Sequence, residues 1–246
     1  MKTKYIIILF LLSLVSACVT DGTDSSDAST GTGGSMARFT CKGDYLYVVD
    51  QTYLQTFNIS DPTKISLRSR IKVGGSMETI FPTDTLLFLG STSGMYAYSL
   101  KRPDFPRYVS VYNHFTSCDP VVVQGRYAFV TLRSDPENFS CSRSVNELKV
   151  IDIANVNNPI EKMTYPMTNP KGLAIDGNLL FLCDGLDLVV MNAENPLKML
   201  TLKRFEMDGV PYDLIAKNGM LTVSYSAGIK QYAYTGDTIV LKSTLY

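Results

Sequence analysis

Short apolar runs recur along the chain from about residue 45 onward, each opened by turn-forming residues. Tyr47-Val48-Val49, Leu87-Phe88-Leu89, Ala128-Phe129-Val130, Leu180-Phe181-Leu182 and Leu221-Thr222-Val223 start 40, 41, 52 and 41 residues apart. Before them stand Gly43-Asp44, Thr83-Asp84, Gln124-Gly125, Asp176-Gly177 and Asn218-Gly219. Such dipeptides favour tight hairpin turns. A second strand follows each run, starting at Leu54, Met95, Leu148, Leu188 and Ile229. A turn with proline comes next in three repeats, at Asp61-Pro62, Asn158-Pro159 and Asn195-Pro196, and a third strand follows in all five. The stretch before each hairpin supplies a fourth, innermost strand: 37–41, 77–81, 118–123, 170–175 and 211–216.

Four strands in about 41 residues is the size of a propeller blade, and a blade buries both its faces only by stacking on neighbours. The pattern therefore predicts an all-β fold, a five-bladed β-propeller of four-stranded blades over residues 37–246. Blade one begins near its first strand and blade five ends near its last. Closure of the ring is accordingly expected to rest on side-chain packing between blades five and one.

The N-terminus follows a different pattern. Met1-Lys2-Thr3-Lys4 is basic, Tyr5 to Leu14 is continuously apolar, and Val15-Ser16-Ala17 is a run ending in small residues before Cys18. The apolar stretch is shorter than the ~20 residues that span a bilayer and reads as a removable leader over 1–17. Residues 18–36 are rich in Ser, Gly, Thr and Asp and read as a flexible acidic tether. Asp21, Asp24 and Asp27 lack the closing Glu of a calcium loop, so solvated linker is the reading of that run.

Val15-Ser16-Ala17-Cys18 resembles the bacterial lipobox. The resemblance implies a thioether-linked lipid on Cys18 and acylation of its new amino terminus, by palmitate or a similar chain. Acidic residues just after that cysteine resemble the surface-export signals of lipoproteins from Bacteroidetes-type bacteria. Leu148-Lys149-Val150-Ile151-Asp152-Ile153, followed by Asn158-Pro159, looks like the LVIVD repeat of bacterial surface proteins, and the other copies are degenerate. That resemblance implies a propeller in an extracytoplasmic setting, on the outer membrane or cell surface, and implies no reaction.

Charge narrows the partners. The 23 basic and 23 acidic residues balance, and two of the cations, Lys2 and Lys4, fall in the leader. A nucleic-acid binder would show a basic excess, so none is expected. No cofactor or catalytic motif is present, and no Cys/His grouping marks a metal site. The expected partners are the membrane, through Cys18, and a protein or glycan.

Blade three carries an insertion, 132–145, that holds Cys141, while Cys118 opens its innermost strand. In an exported protein these two are expected to form a disulfide stabilising by ~3 kcal/mol. Cys41 and Cys183, in non-adjacent blades, are expected to be buried free thiols. Aligning the repeats places Arg38, Glu78, Asp119, Lys171 and Tyr212 at the start of the innermost strands, with Asp213 one residue along. These six are the candidate ligand-binding ring at one channel mouth. A binding or interaction module is the leading expectation. A structural component of an envelope complex comes second, and a hydrolase using Glu78 and Asp119 third. His114, the single histidine, precedes the ring in blade three.

Overall fold

Residues 33–114, 120–134, 145–236 and 238–246 are described by the computed structural model. The leader, Cys18, Asp119 and the Cys118/Cys141 pair lie outside these residues. The described strands form five separate four-stranded antiparallel sheets, each in chain order from inside to outside. Blade one comprises β1 (Phe39–Lys42), β2 (Tyr45–Val49), β3 (Tyr53–Asn58) and β4 (Ser66–Lys72). Blade two comprises β5 (Met77–Pro82), β6 (Leu86–Ser91), β7 (Gly94–Ser99) and β8 (Arg107–Asn113). Blade three comprises β9 (Val121–Gln124), β10 (Tyr127–Leu132), β11 (Glu147–Asp152) and β12 (Ile160–Pro166). Blade four comprises β13 (Pro170–Asp176), β14 (Leu179–Asp184), β15 (Asp187–Asn192) and β16 (Leu200–Glu206). Blade five comprises β17 (Pro211–Lys217), β18 (Met220–Tyr225), β19 (Gly228–Thr235) and β20 (Thr238–Leu245). The chain is a five-bladed β-propeller, as the repeat pattern predicts.

The turns follow from local chemistry. Gly43, Gly125, Gly177 and the pair Asn218-Gly219 adopt positive φ at the first hairpins, the conformation those residues tolerate. Blade two has no glycine there. Its Thr83 hydroxyl instead accepts from the Leu86 amide at 3.1 Å and so holds the turn. At the outer hairpins short polar side chains hold the chain: Asp61 accepts from Thr63 and Asn195 from Leu197.

Strand pairing corrects the alignment of blade one by one residue. The second strands start at Tyr45, Leu86, Tyr127, Leu179 and Met220, which are 41, 41, 52 and 41 apart. Tyr47 is thus the counterpart of Phe88, Phe129 and Phe181, and Leu46 that of Leu87. The slip matters because one residue exchanges the two faces of a strand.

Apolar clusters join blade one to two, two to three, three to four and four to five. No such cluster among the described residues joins five to one. Burial along the second strands records the same thing. From the second residue on, β6, β10 and β14 are buried at every position, because both faces are covered. β2 and β18 alternate between buried and partly exposed, as a sheet covered on one face does. In place of the expected side-chain packing between blades five and one, the described residues form a polar bridge there. The Ser35 hydroxyl donates to Asp213 on β17 at 2.9 Å and accepts from the Leu173 amide on β13 at 2.8 Å. The Met36 amide donates to the other Asp213 oxygen at 3.1 Å, and the Ile80 amide on β5 donates to the Ala37 carbonyl at 2.9 Å. Packed structure therefore reaches back into the stretch expected to be tether, with Ser35 only 2% exposed.

Asp184 is the most deeply buried charged group among the described residues. Asp184, 1% exposed, accepts from the Thr168 and Asn169 amides and from Arg204 at 2.7 Å, and Arg204 also reaches Asp187. Removing the partner of a buried carboxylate costs about 3–5 kcal/mol. Arg204 is partly exposed, so Arg204→Ala is expected to cost about 2 kcal/mol, with solvent replacing part of the lost pairing. Thermal unfolding would read this as a midpoint about 4–8 °C lower.

Candidate functional site

The innermost strands deliver side chains to the channel mouth through β-bulges. Pairing slips between Met77 and Thr79, between Pro170 and Leu173, and between Pro211 and Asp213. Glu78, Lys171 and Tyr212 lie inside these slips. A bulge leaves such a residue out of the ladder and re-aims its side chain, which is why bulges gather at functional sites. Three predicted ring residues thus share a structural cause as well as a repeat position. Arg38 sits one register position further along, level with Thr79, Pro120 and Asp213, as the blade-one correction requires.

Arg38, Glu78 and Lys171 come together in one concavity of about 220 Å³, with Met36, Thr79, Pro120 and Arg133 completing its wall. Tyr212, 44% exposed, stands at the rim, its ring centroid 5.0 Å from the Lys171 ammonium. The Lys171 carbonyl accepts from the Thr131 hydroxyl at 2.8 Å, tying the β13 bulge to blade three. Arg133 was not among the sequence candidates. It lies just past β10 at the entrance to the insertion, where no repeat position marks it. Among the described residues three cations, Arg38, Arg133 and Lys171, line this concavity with one carboxylate, Glu78.

Asp213 is placed differently from Arg38, Glu78, Lys171 and Tyr212. Its carboxylate turns inward to Ser35 and Met36, and is enclosed by two glycines. A Cβ on Gly34 would lie 2.0 Å from one Asp213 oxygen, and one on Gly172 would lie 2.2 Å from the other. Burial pushes its carboxyl above the usual range, against the opposing pull of the Met36 amide and Ser35 hydroxyl. It belongs to the bridge that joins blades four and five to the segment leading into blade one.

Cys41 and Cys183 are free thiols as expected, but only Cys183 is buried. Its burial, together with the nearby Asp213 charge, pushes the thiol far up, which disfavours the thiolate. Cys41 is half-buried on β1. His114 lines a separate crevice between blades two and three, of about 410 Å³, with Tyr112, Lys149 and Glu161. There Tyr112 donates to Glu161 at 2.5 Å and Lys149 donates to it at 3.0 Å. Burial works against the Glu161 charge, but these bonds outweigh it and hold the carboxyl below its usual range. Among the described residues no group of His, Cys, Asp and Glu could hold a metal ion.

The outer part of blade three shows what its repeat signature encodes. On β11, Leu148 and Val150 pack toward blade four, whereas Ile151 packs toward blade two. Consecutive apolar residues are needed because the strand is sandwiched, and a bulge after Val150 assists the change of face. Asp152 then caps the turn at the Ala154 amide, 3.0 Å away, and pairs with Arg126.

The LVIVD repeat matches residues 33–73 and 137–167. The first match is blade one with its preceding bridge, and the second holds the outer hairpin of blade three. Solved structures share the fold. A functionally unknown protein from Desulfotomaculum acetoxidans DSM 771 aligns at TM-score 0.69 and 13% identity, covering 87% of this chain and 70% of its own. The periplasmic gluconolactonase PpgL of Pseudomonas aeruginosa aligns at 0.64 and 12%, covering 83% and 67%. BamB of Moraxella catarrhalis aligns at 0.58 and 9%, covering 77% and only 54%. At such identities the likeness is one of fold. No curated protein sequence matches the chain.

Proposed function

We propose that this propeller is a lipid-anchored, extracytoplasmic binding module whose channel mouth takes a small anionic ligand. The observation that carries the reading is the single concavity in which bulges and the blade-three exit gather Arg38, Arg133 and Lys171 around Glu78. Fixed cations in a concave, partly desolvated mouth attract a carboxylate or phosphate more strongly than the same charges on open surface. At about 220 Å³ the site is smaller than the ~300–1,000 Å³ of drug-sized pockets, which suits a small polar molecule. Anchorage follows from the lipobox-like Val15-Ser16-Ala17-Cys18, and an exported setting makes a Cys118–Cys141 disulfide compatible with the blade-three insertion. A protein or glycan partner on the outside completes the reading.

Calorimetric titration with gluconate, and with glucose as its neutral counterpart, tests the mouth. Gluconate is expected to bind and glucose not to. Lys171→Glu and Arg133→Glu are each expected to weaken gluconate tenfold or more, about 1.4 kcal/mol. Equal binding of both sugars, no binding of either, or affinity indifferent to both charge reversals would reject the anion site.

A further inference from the structure

The two blades at the open junction are finished differently. On the face that blades two to five turn toward the preceding blade, the innermost strand carries Ile80, Val121, Leu173 and Leu214, all at most 2% exposed. The register equivalent in blade one is Phe39, which is 62% exposed. Leu46, Val48 and Phe57 continue that face and are only half-buried, whereas counterparts such as Leu87, Leu89 and Tyr98 are covered. Blade one thus carries, uncovered, the apolar set that every other blade buries against a neighbour.

Blade five is finished in the opposite way. Its open face has Thr222 where blades one to four have Tyr47, Phe88, Phe129 and Phe181. It has Gln231 where blades two to four have Ala97, Val150 and Val190. Polar residues at the centre of a terminal repeat's outer face are how stacked-repeat proteins cap themselves against further stacking. Blade five is capped and blade one is not. The asymmetry also explains why the two do not close on each other, since an apolar sheet gains little by covering Thr222 and Gln231.

We propose that this open face of blade one is a docking surface for a protein partner that presents a β-sheet face bordered by acidic side chains, stacking as a further blade would. The chemistry of the partner follows from the face. Its centre has the composition of the four blade–blade interfaces beside it. At its outer edge stand Arg70, over the Tyr53 ring at 3.9 Å, and Lys72, paired with Tyr53 across the strands. The described strand residues on the face include no acid. A second copy fits poorly. Its blade five offers a polar centre, and pairing blade one with blade one would bring Arg70 and Lys72 of both copies together, two cations in each copy against the one carboxylate, Asp50, that lies near Arg70. The inference is independent of the channel-mouth ligand, which lies on other residues and has its own test.

Cys41 lies on this face, opposite Leu46, and serves as a native reporter. Alkylation of Cys41 by N-ethylmaleimide, read by peptide mass spectrometry, is compared in intact membranes and in the purified full chain in detergent. Labelling in membranes is expected to be tenfold or more slower. Arg70→Glu with Lys72→Glu, both on exposed positions, is expected to raise it to the purified rate while lowering the unfolding temperature by no more than a few degrees, the cost of the lost Arg70–Tyr53 stacking. Four results would overturn the proposal. They are equal labelling in both preparations, protection that survives the double charge reversal, and protection in the purified chain that grows with its concentration, which would mean a second copy. The fourth is protection in the purified chain that disappears when residues 19–32 are deleted, which would make the chain's own tether the occupant.

Discussion

Cys18→Ser, made behind a leader with an ordinary secretory cleavage site so that the apolar stretch is still removed, is expected to shift the protein almost wholly from the membrane to the soluble fraction. The size of the effect follows from lipid arithmetic. Each buried methylene contributes about 0.8 kcal/mol, one acyl chain holds a protein only marginally, and two or more hold it stably. All the chains the lipobox resemblance implies are attached at Cys18. Among the described residues no helix is long and apolar enough to cross a membrane. Packing against the blades begins at Gly34 and Ser35, so a change at position 18 touches none of the described contacts and should leave the unfolding temperature unaltered. The measurement is fractionation followed by a 1 M salt wash. At that ionic strength the screening length is about 3 Å, which breaks charge-steered docking and leaves lipid anchorage intact. A variant that stays with the membrane after the wash would place the anchor elsewhere.

Much of the fold is legible in the sequence because a blade repeats the same physical problem five times. Turn residues, apolar runs and proline turns at a period near 41 suffice to count strands and blades. Register in blade one is not legible from those signals. Tyr47-Val48-Val49 is apolar at three consecutive positions, so alternation does not say which residue faces which neighbour. That one-residue slip placed Arg38 beside Glu78 and Lys171 in the repeat alignment, although only in space do they share a site. Arg133 escapes notice for a related reason, since it belongs to the non-repeating exit of β10. Ser35 escapes because a single serine in a polar run looks like linker, and its role appears only when β13 and β17 bring Leu173 and Asp213 to it from 138 and 178 residues away. The open face of blade one is in principle readable. Thr222 in a column of aromatic residues is a visible departure, once the column is correctly aligned.

Gly172→Ala is expected to damage the fold severely. Gly172 lies in the β13 bulge where the innermost strands of blades four and five approach each other. A Cβ there would meet Asp213 Oδ1 at 2.2 Å, Asp213 Cα at 2.5 Å and the Tyr212 carbonyl at 2.8 Å. Two of the three obstacles are backbone, so no rotamer change relieves them and the strands must separate. Overpacking of this kind costs about 1–3 kcal/mol and more where backbone must move. Here the same shift also loosens Asp213 from Ser35 and Met36, the bonds that bridge the junction lacking an apolar core. A loss of about 4 kcal/mol or failure to accumulate folded protein is expected. Gly75→Ala, whose Cβ would meet only the Ser93 hydroxyl at 3.4 Å, should be close to neutral. The pH dependence supplies a second readout of the same bridge. Because burial raises the Asp213 carboxyl above its unfolded value, the folded state binds that proton more tightly. The stability linked to this group is therefore full below about pH 4 and falls as pH rises through the folded value. Asp213→Ala should remove that slope while lowering stability at every pH, through the loss of two hydrogen bonds to a largely enclosed carboxylate. Denaturant unfolding of the two proteins between pH 4 and 8 measures both effects. A slope that persists in the variant would assign the titration to another group.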